Sequence, residues 1–259
     1  MLTTGLTLDS QDDIDKIAIS LKGLSWRPTV RIVCDVPDPA SSYKRSIDAL
    51  SKVSEVIIQI SDSAYSKKLS VAQFEARTLE YIKAFPQVNI IETSNEINMC
   101  DDCSPDKHSK LFSEQATAAM RVAKKYGKKT FITPYWNLPD CVDANGEYKA
   151  WLKKYLSDEV KKGADYVGLS VYGMDCEGRP EPTYAELDKE LDELQKIFPN
   201  SKVMIGEYGA DKSREKKYKI KNSDIIRHYK NYHRVGAGLQ WYGWQMVNEQ
   251  GADWQEFKK

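Results

Sequence analysis

Short apolar runs that turn polar or acidic at their ends recur along the chain, and the most informative is Val88-Asn89-Ile90-Ile91-Glu92-Thr93-Ser94-Asn95-Glu96. Bounded by Pro86 on one side and Asp101-Asp102 on the other, it predicts a buried strand whose last residues carry the chemistry. Lys202-Val203-Met204-Ile205-Gly206-Glu207-Tyr208-Gly209 repeats the plan. Similar runs predict strands over Gly5–Asp9, Thr29–Asp35, Glu55–Asp62, Thr130–Trp136, Tyr166–Tyr172 and Gly238–Gln245.

Between them lie stretches with helical spacing. They run from Asp9 or Ser10 to about Leu24, from Ala40 to Val53 and, behind a Ser70 cap, through Phe74, Leu79, Ile82 and Phe85. Others are expected over Ser109–Tyr126, Glu147–Lys162 and Tyr184–Phe198, from Asn222 to near Gly236, and over Ala252–Lys259. Eight strands alternating with eight helical segments argue for a parallel sheet, because each crossover returns the chain to the same end. The count favours closure into a single (β/α)8 TIM barrel spanning residues 1–259, with its active site at the carboxyl ends of the strands.

Composition narrows the function. Basic and acidic residues balance at 38 each and no basic stripe stands out, which disfavours nucleic acid as a partner. No apolar run approaches the roughly 18 residues of a membrane span. Residues Met1–Ser10 lack the pattern of a signal peptide. The histidines, His108, His228 and His233, have no metal-ligand spacing, and the last two are expected to be exposed on a helix. Neither a phosphate loop, a dinucleotide fingerprint nor a serine elbow occurs, so no metal and no cofactor is expected.

Glu96 and Glu207 each fall at the tip of a buried strand, where an idle charge is poorly solvated. Two such carboxylates are what cleavage of a glycosidic bond requires. Each glutamate taken alone also reads as a loop carboxylate or helix cap, and Glu92, inside its strand, reads as a polar layer residue of the barrel. Arg31 is either a counter-ion for Glu92 or Asp35 or part of the site. Asp62 suits either capping or a sugar hydroxyl. Tyr135, Trp136, Tyr172, Tyr208, Trp241, Tyr242 and Trp244 crowd the predicted strand ends, where aromatic faces suit pyranose rings. Alternation sends some of them outward into the helix layer.

Glu92-Thr93-Ser94-Asn95-Glu96 and Ile205-Gly206-Glu207-Tyr208-Gly209 resemble the signature segments of clan A glycoside hydrolases, retaining (β/α)8-barrel enzymes that include many cellulases, mannanases, galactanases and xylosidases. The resemblance implies that Glu96 is the acid/base, Glu207 the nucleophile and Asn95 a ligand of the sugar hydroxyl beside the anomeric carbon. It also implies that Arg31, Tyr172 and Trp241 or Trp244 hold the nucleophile and floor the sugar site; Trp136, among the strand-end aromatics, is a further candidate for substrate binding. Ile97-Asn98 departs from the proline that follows the glutamate in many of these families.

The expected protein is a monomeric hydrolase acting within a β-linked polysaccharide, secreted or extracellular, with a cytoplasmic location as the alternative. A silent carbohydrate-binding barrel and a transglycosylase with the same carboxylates are the rival readings. Cys100, Cys103, Cys141 and Cys176 gather in neighbouring loops, as two disulfides, a zinc site or free thiols; Cys34 reads as a buried thiol.

Overall fold

A computed structural model describes residues 2–99, 105–136, 147–173 and 179–259. The strands are β1 Gly5–Leu8, β2 Thr29–Val33, β3 Glu55–Gln59, β4 Ile90–Ser94, β5 Lys129–Ile132, β6 Tyr166–Val171, β7 Lys202–Tyr208 and β8 Leu239–Gln240. Each pairs in parallel with the next, and β8 returns to β1, closing a (β/α)8 TIM barrel. The helices, in chain order, are α1 Ile14–Lys22, α2 Lys44–Leu50, α3 Ser63–Ser66, α4 Val71–Ala84, α5 Pro105–Lys125 and α6 Tyr148–Tyr155. They continue as α7 Asp158–Gly163, α8 Tyr184–Ile197, α9 Lys212–Tyr218, α10 Asn222–Lys230, α11 Gly243–Glu249 and α12 Ala252–Phe257. No helix among the described residues is long and apolar enough to cross a membrane.

Local chemistry explains the clearest boundaries. Ser70 and Gln73 form a reciprocal capping box at the start of α4, and Thr183 and Glu186 do the same for α8. The single helix expected over Glu147–Lys162 is instead two. Leu156 is extended, and Ser157 opens α7 by accepting from the Val160 amide. The eighth strand is also shorter than expected: it stops at Gln240, and the chain coils into α11 from Gly243. α9 was not expected at all; with no buried residue, it has no apolar stripe to reveal it.

Strand alternation sorts the side chains into two cores. One lies between strands and helices, and the other fills the barrel with Ile57, Ile90, Phe131, Tyr166, Met204 and Leu239. Phe131 fits because Gly168 faces it without a side chain, and Gly206 in turn leaves room for the Gly168 backbone. A Cβ on Gly168 would come within 2.5 Å of the Phe131 ring, and one on Gly206 within 2.5 Å of the Gly168 backbone. Toward the carboxyl ends the interior turns polar, with Thr7, Arg31, Glu92, Thr133 and Glu207 all buried. Cys34 is a buried free thiol whose pKa is pushed up by burial. The other four cysteines lie outside the described residues.

Candidate active site

Arg31 organises the polar end of the barrel. It is fully buried on β2 and spreads its donors over three strands. Nε donates to Thr7 Oγ1 at 3.2 Å, and Nη1 donates to Glu92 Oε1 and Asn95 Oδ1, each at 3.3 Å. Nη2 pairs with Glu207 Oε2. Arg31 is therefore both a counter-ion of Glu92 and a partner of Glu207, and its pairing with Asp35 is not formed: Asp35 instead has its pKa raised, chiefly by burial and by the neighbouring charges of Asp38 and Asp62.

Glu92, 1% exposed, also accepts from the Thr133 hydroxyl. Burial raises its pKa, and Arg31 and Thr133 only partly oppose that rise. With one guanidinium between two buried carboxylates, a protonated Glu92 leaves the positive charge to Glu207. Glu207 has a second donor on its other oxygen, the Tyr172 hydroxyl to Oε1. Both oxygens are thus oriented, and negative charge on them is stabilised.

Glu96 sits just past β4 with φ 41°, a left-handed backbone that non-glycine residues seldom adopt. Strain of this kind persists where surrounding contacts enforce it, and it gathers at active sites. The contacts here are specific. The Ile97 amide donates to Thr133 O at 3.0 Å, and the Met99 amide to Glu96 O at 2.7 Å. The buried Asn98 amide then splints the turn to the end of β5: Nδ2 donates to Tyr135 O at 3.0 Å, and Oδ1 accepts from the Tyr135 amide at 2.8 Å. Asn98 thereby fixes this turn. The pairing register also shifts beside both glutamates, between Glu92 and Ser94 on β4 and at Ser170, opposite Glu207, on β6. Such bulges re-aim side chains at barrel rims.

Glu96 and Glu207 line one cavity of about 280 Å³ at the carboxyl ends of the strands. Asn95 and Trp241 share it, Trp241 lying over the Arg31 guanidinium at 5.5 Å. Tyr135 and Tyr172 form part of the wall as a stacked pair with centroids 6.3 Å apart. Asp62 caps α3 through the Ala64 amide and also lines the cavity.

Two expected site residues go elsewhere. Trp136 lines a separate cavity of about 600 Å³ with Pro180 and Pro182, because its backbone amide pairs with Ser170 O and alternation sends it away from Tyr135. Trp244 belongs to α11, and its indole donates to Asp12 O at 3.0 Å, outside the cavity lining. Sequence reasoning also missed Met99 and Arg214, which line the cavity. The signal for Arg214 was its place just past the Glu207 strand within a basic run. His228, expected to be exposed, is half-buried against Pro182 O at 2.9 Å, and burial lowers its pKa. A further cavity, of about 720 Å³, lies at the opposite end of the barrel, between Leu2, Tyr166 and Met204, and brings no carboxylate pair together.

No protein-family model and no curated protein sequence matches the chain. Solved structures do. A GH5-4 broad-specificity endoglucanase from an uncultured bacterium superposes with a TM-score of 0.68 at 12% identity, over 99% of this chain and 92% of that one. A family 1 β-glucosidase from Thermotoga maritima gives 0.63 at 13% identity over 89% and 77%. The endo-1,4-β-D-mannanase of Thermotoga petrophila gives 0.61 at 13% over 93% and 88%. At these identities the likeness is one of fold, and the chemistry has to be argued from the site.

Proposed function

We propose that the protein is a retaining β-glycoside hydrolase of the clan A type that acts within a β-linked polysaccharide. The observation that carries this reading is the meeting of Glu96 and Glu207 in one cavity, with both oxygens of Glu207 held by Arg31 and Tyr172. The barrel shared with an endoglucanase, a β-glucosidase and a mannanase supports it.

Glu207 attacks the anomeric carbon while Glu96 gives its proton to the departing glycosidic oxygen, so the C–O bond breaks and a glycosyl ester forms on Glu207. Glu96, now ionised, takes a proton from water; the water oxygen displaces Glu207 from the anomeric carbon, and both carboxyl groups return to their starting states. This geometry needs carboxyl groups roughly 5 to 5.5 Å apart. Asn95 binds the hydroxyl beside the anomeric carbon, its side chain set by Arg31 Nη1. Trp241, Tyr135 and Tyr172 offer ring faces to the sugars. Polymers of this size do not cross membranes, so the reading places the protein outside the cell.

The test is release of reducing ends from a panel of β-glucans, mannans, galactans, xylans and acidic polysaccharides, with product analysis. Glu207→Gln abolishes release, and Glu96→Gln lowers it by about 10²–10⁴-fold. Release that survives both substitutions removes the assignment. Binding without release by the unaltered protein supports the silent barrel instead, and transfer to an added sugar in place of hydrolysis supports the transglycosylase.

A further inference from the structure

Glu92 is the buried carboxyl group to which the reaction gives no task. It stands on β4, 1% exposed, and faces the barrel interior with Arg31. Arg31 Nη1 lies 3.3 Å from Glu92 Oε1 and 3.5 Å from Oε2, and equally 3.3 Å from Asn95 Oδ1. Nη2 goes to Glu207. One guanidinium therefore serves Glu92, the nucleophile, and the residue that binds the neighbouring sugar hydroxyl.

Charge decides which state suits Glu92. Arg31 brings one positive charge into this layer, and Glu92 and Glu207 bring two negative charges if both ionise. A net negative charge buried this deeply is costly, and a proton held by one of the pair removes it. The surroundings do not balance it otherwise. β1 and β5 bring the Thr7 and Thr133 hydroxyls, Trp241 follows β8, Asp62 after β3 adds negative potential, and Glu96 past β4 lines the cavity. Arg214 of α9 lies 5.8 Å from the centre of the Tyr172 ring, and the Tyr172 hydroxyl donates to Glu207, so that cation belongs to the Glu207 side.

The proton suits Glu92 better than Glu207. Both Glu207 oxygens meet donors, which favours the anion. Glu92 Oε1 accepts from Thr133 and Arg31, whereas Oε2 has only the longer Arg31 contact. Gln59 of β3 is the register partner of Glu92. Ile57 and Ile90, two residues back on each strand, both face the inner core, so Gln59 and Glu92 face inward together. Gln59 is fully buried, and neither its amide oxygen nor its nitrogen has a hydrogen-bond partner. A neutral carboxyl group can donate where a carboxylate only accepts, and Gln59 is an acceptor at its side.

We propose that Glu92 is a positioning residue of this site: while neutral it leaves the charge of Arg31 to Glu207 and an N–H to Asn95, and its ionisation at higher pH draws Arg31 from both and lowers activity. The proposal rests on the glycoside hydrolase reading and adds a pH control to that site. Glu92 touches neither the sugar nor the transferred proton.

Two measurements test it, on variants first shown to be folded at every pH used. In the first, the side-chain carboxyl carbons of labelled glutamate are followed by NMR against pH, the Glu92 signal being the one absent from Glu92→Gln. Glu92 titrates above the ordinary carboxylate range, and its midpoint falls by about one unit or more in Glu207→Gln, where Arg31 has a single anion to serve. In the second, kcat/KM is followed against pH on the panel polysaccharide that the parent cleaves fastest. The alkaline limb of Glu92→Gln, scaled to its own maximum, lies about one pH unit above that of the parent. Glu92→Leu, which keeps no oxygen for Arg31 and Thr133, loses activity at every pH, and Gln at the same position recovers most of it.

A Glu92 midpoint in the ordinary carboxylate range overturns the inference, as does one that Glu207→Gln leaves in place. Superimposable pH profiles for the parent and Glu92→Gln reduce Glu92 to a structural member of the polar layer and overturn it as well. A protein that cleaves no member of the panel, but whose Glu92 midpoint falls in Glu207→Gln, supports the shared guanidinium while removing the hydrolase reading.

Discussion

Arg31 is shared by two buried glutamates, Glu92 and Glu207. Glu92 is the one whose pKa burial raises, so folding is most favourable with Glu92 protonated. Its contribution is fully present at low pH and is lost as pH climbs from the ordinary carboxylate range through the raised value. Glu92→Gln, which imitates the protonated form, is therefore close to the parent in stability at pH 4 and gains on it as pH rises toward 8. Urea unfolding at the two pH values checks this; a parent that gains on the variant with pH would mean that Arg31 holds Glu92 ionised. Residue by residue, the sequence disclosed what strand ends disclose. Asn95, Glu96 and Glu207 stand where apolar runs stop, and Arg31 and Glu92 are charges within runs that had to be buried. It did not disclose that Trp244 faces away, because a two-residue strand followed by a helix changes the direction of every later side chain.

The element that deserves most weight is the turn between β4 and α5. It places Glu96 in a left-handed conformation and relies on one side chain, Asn98, to tie it to β5. Asn98→Ala leaves the Tyr135 amide and carbonyl without those partners and costs about 1–3 kcal/mol in chemical denaturation. Because the same splint aims Glu96, activity falls further than the lost folded fraction explains. An Asn98→Ala protein of parental stability and activity would show that the turn holds itself. Periodicity foresaw helices with apolar stripes, such as α4, α5 and α8, and their caps were readable as Ser70 and Thr183. It merged α6 with α7, since both bury one side against the barrel and two extended residues, Leu156 and Ser157, leave the pattern almost intact. It passed over α9, which buries none of its residues.

At the scale of the whole molecule, closure of the barrel is what makes a site out of residues scattered through the chain. Arg31 on β2, Glu96 after β4, Tyr172 after β6 and Glu207 on β7 meet only when β8 returns to β1. Alternation and the count of strands were enough to foresee that closure, and with it the end of the barrel where the carboxylates collect. The division of the aromatics between cavity, core and helix layer was not foreseeable, because it depends on β8 ending at Gln240 and the chain coiling into α11 from Gly243. The most direct measurement is mass spectrometry of the protein after incubation with activated 2-deoxy-2-fluoro β-glycosides of gluco, manno, galacto, xylo and glucurono configuration. Covalent catalysis predicts one added glycosyl unit, carried on the peptide that contains Glu207 and absent in Glu207→Gln. A protein that hydrolyses polysaccharide yet takes no label, or takes it on another residue, would contradict the role given to Glu207.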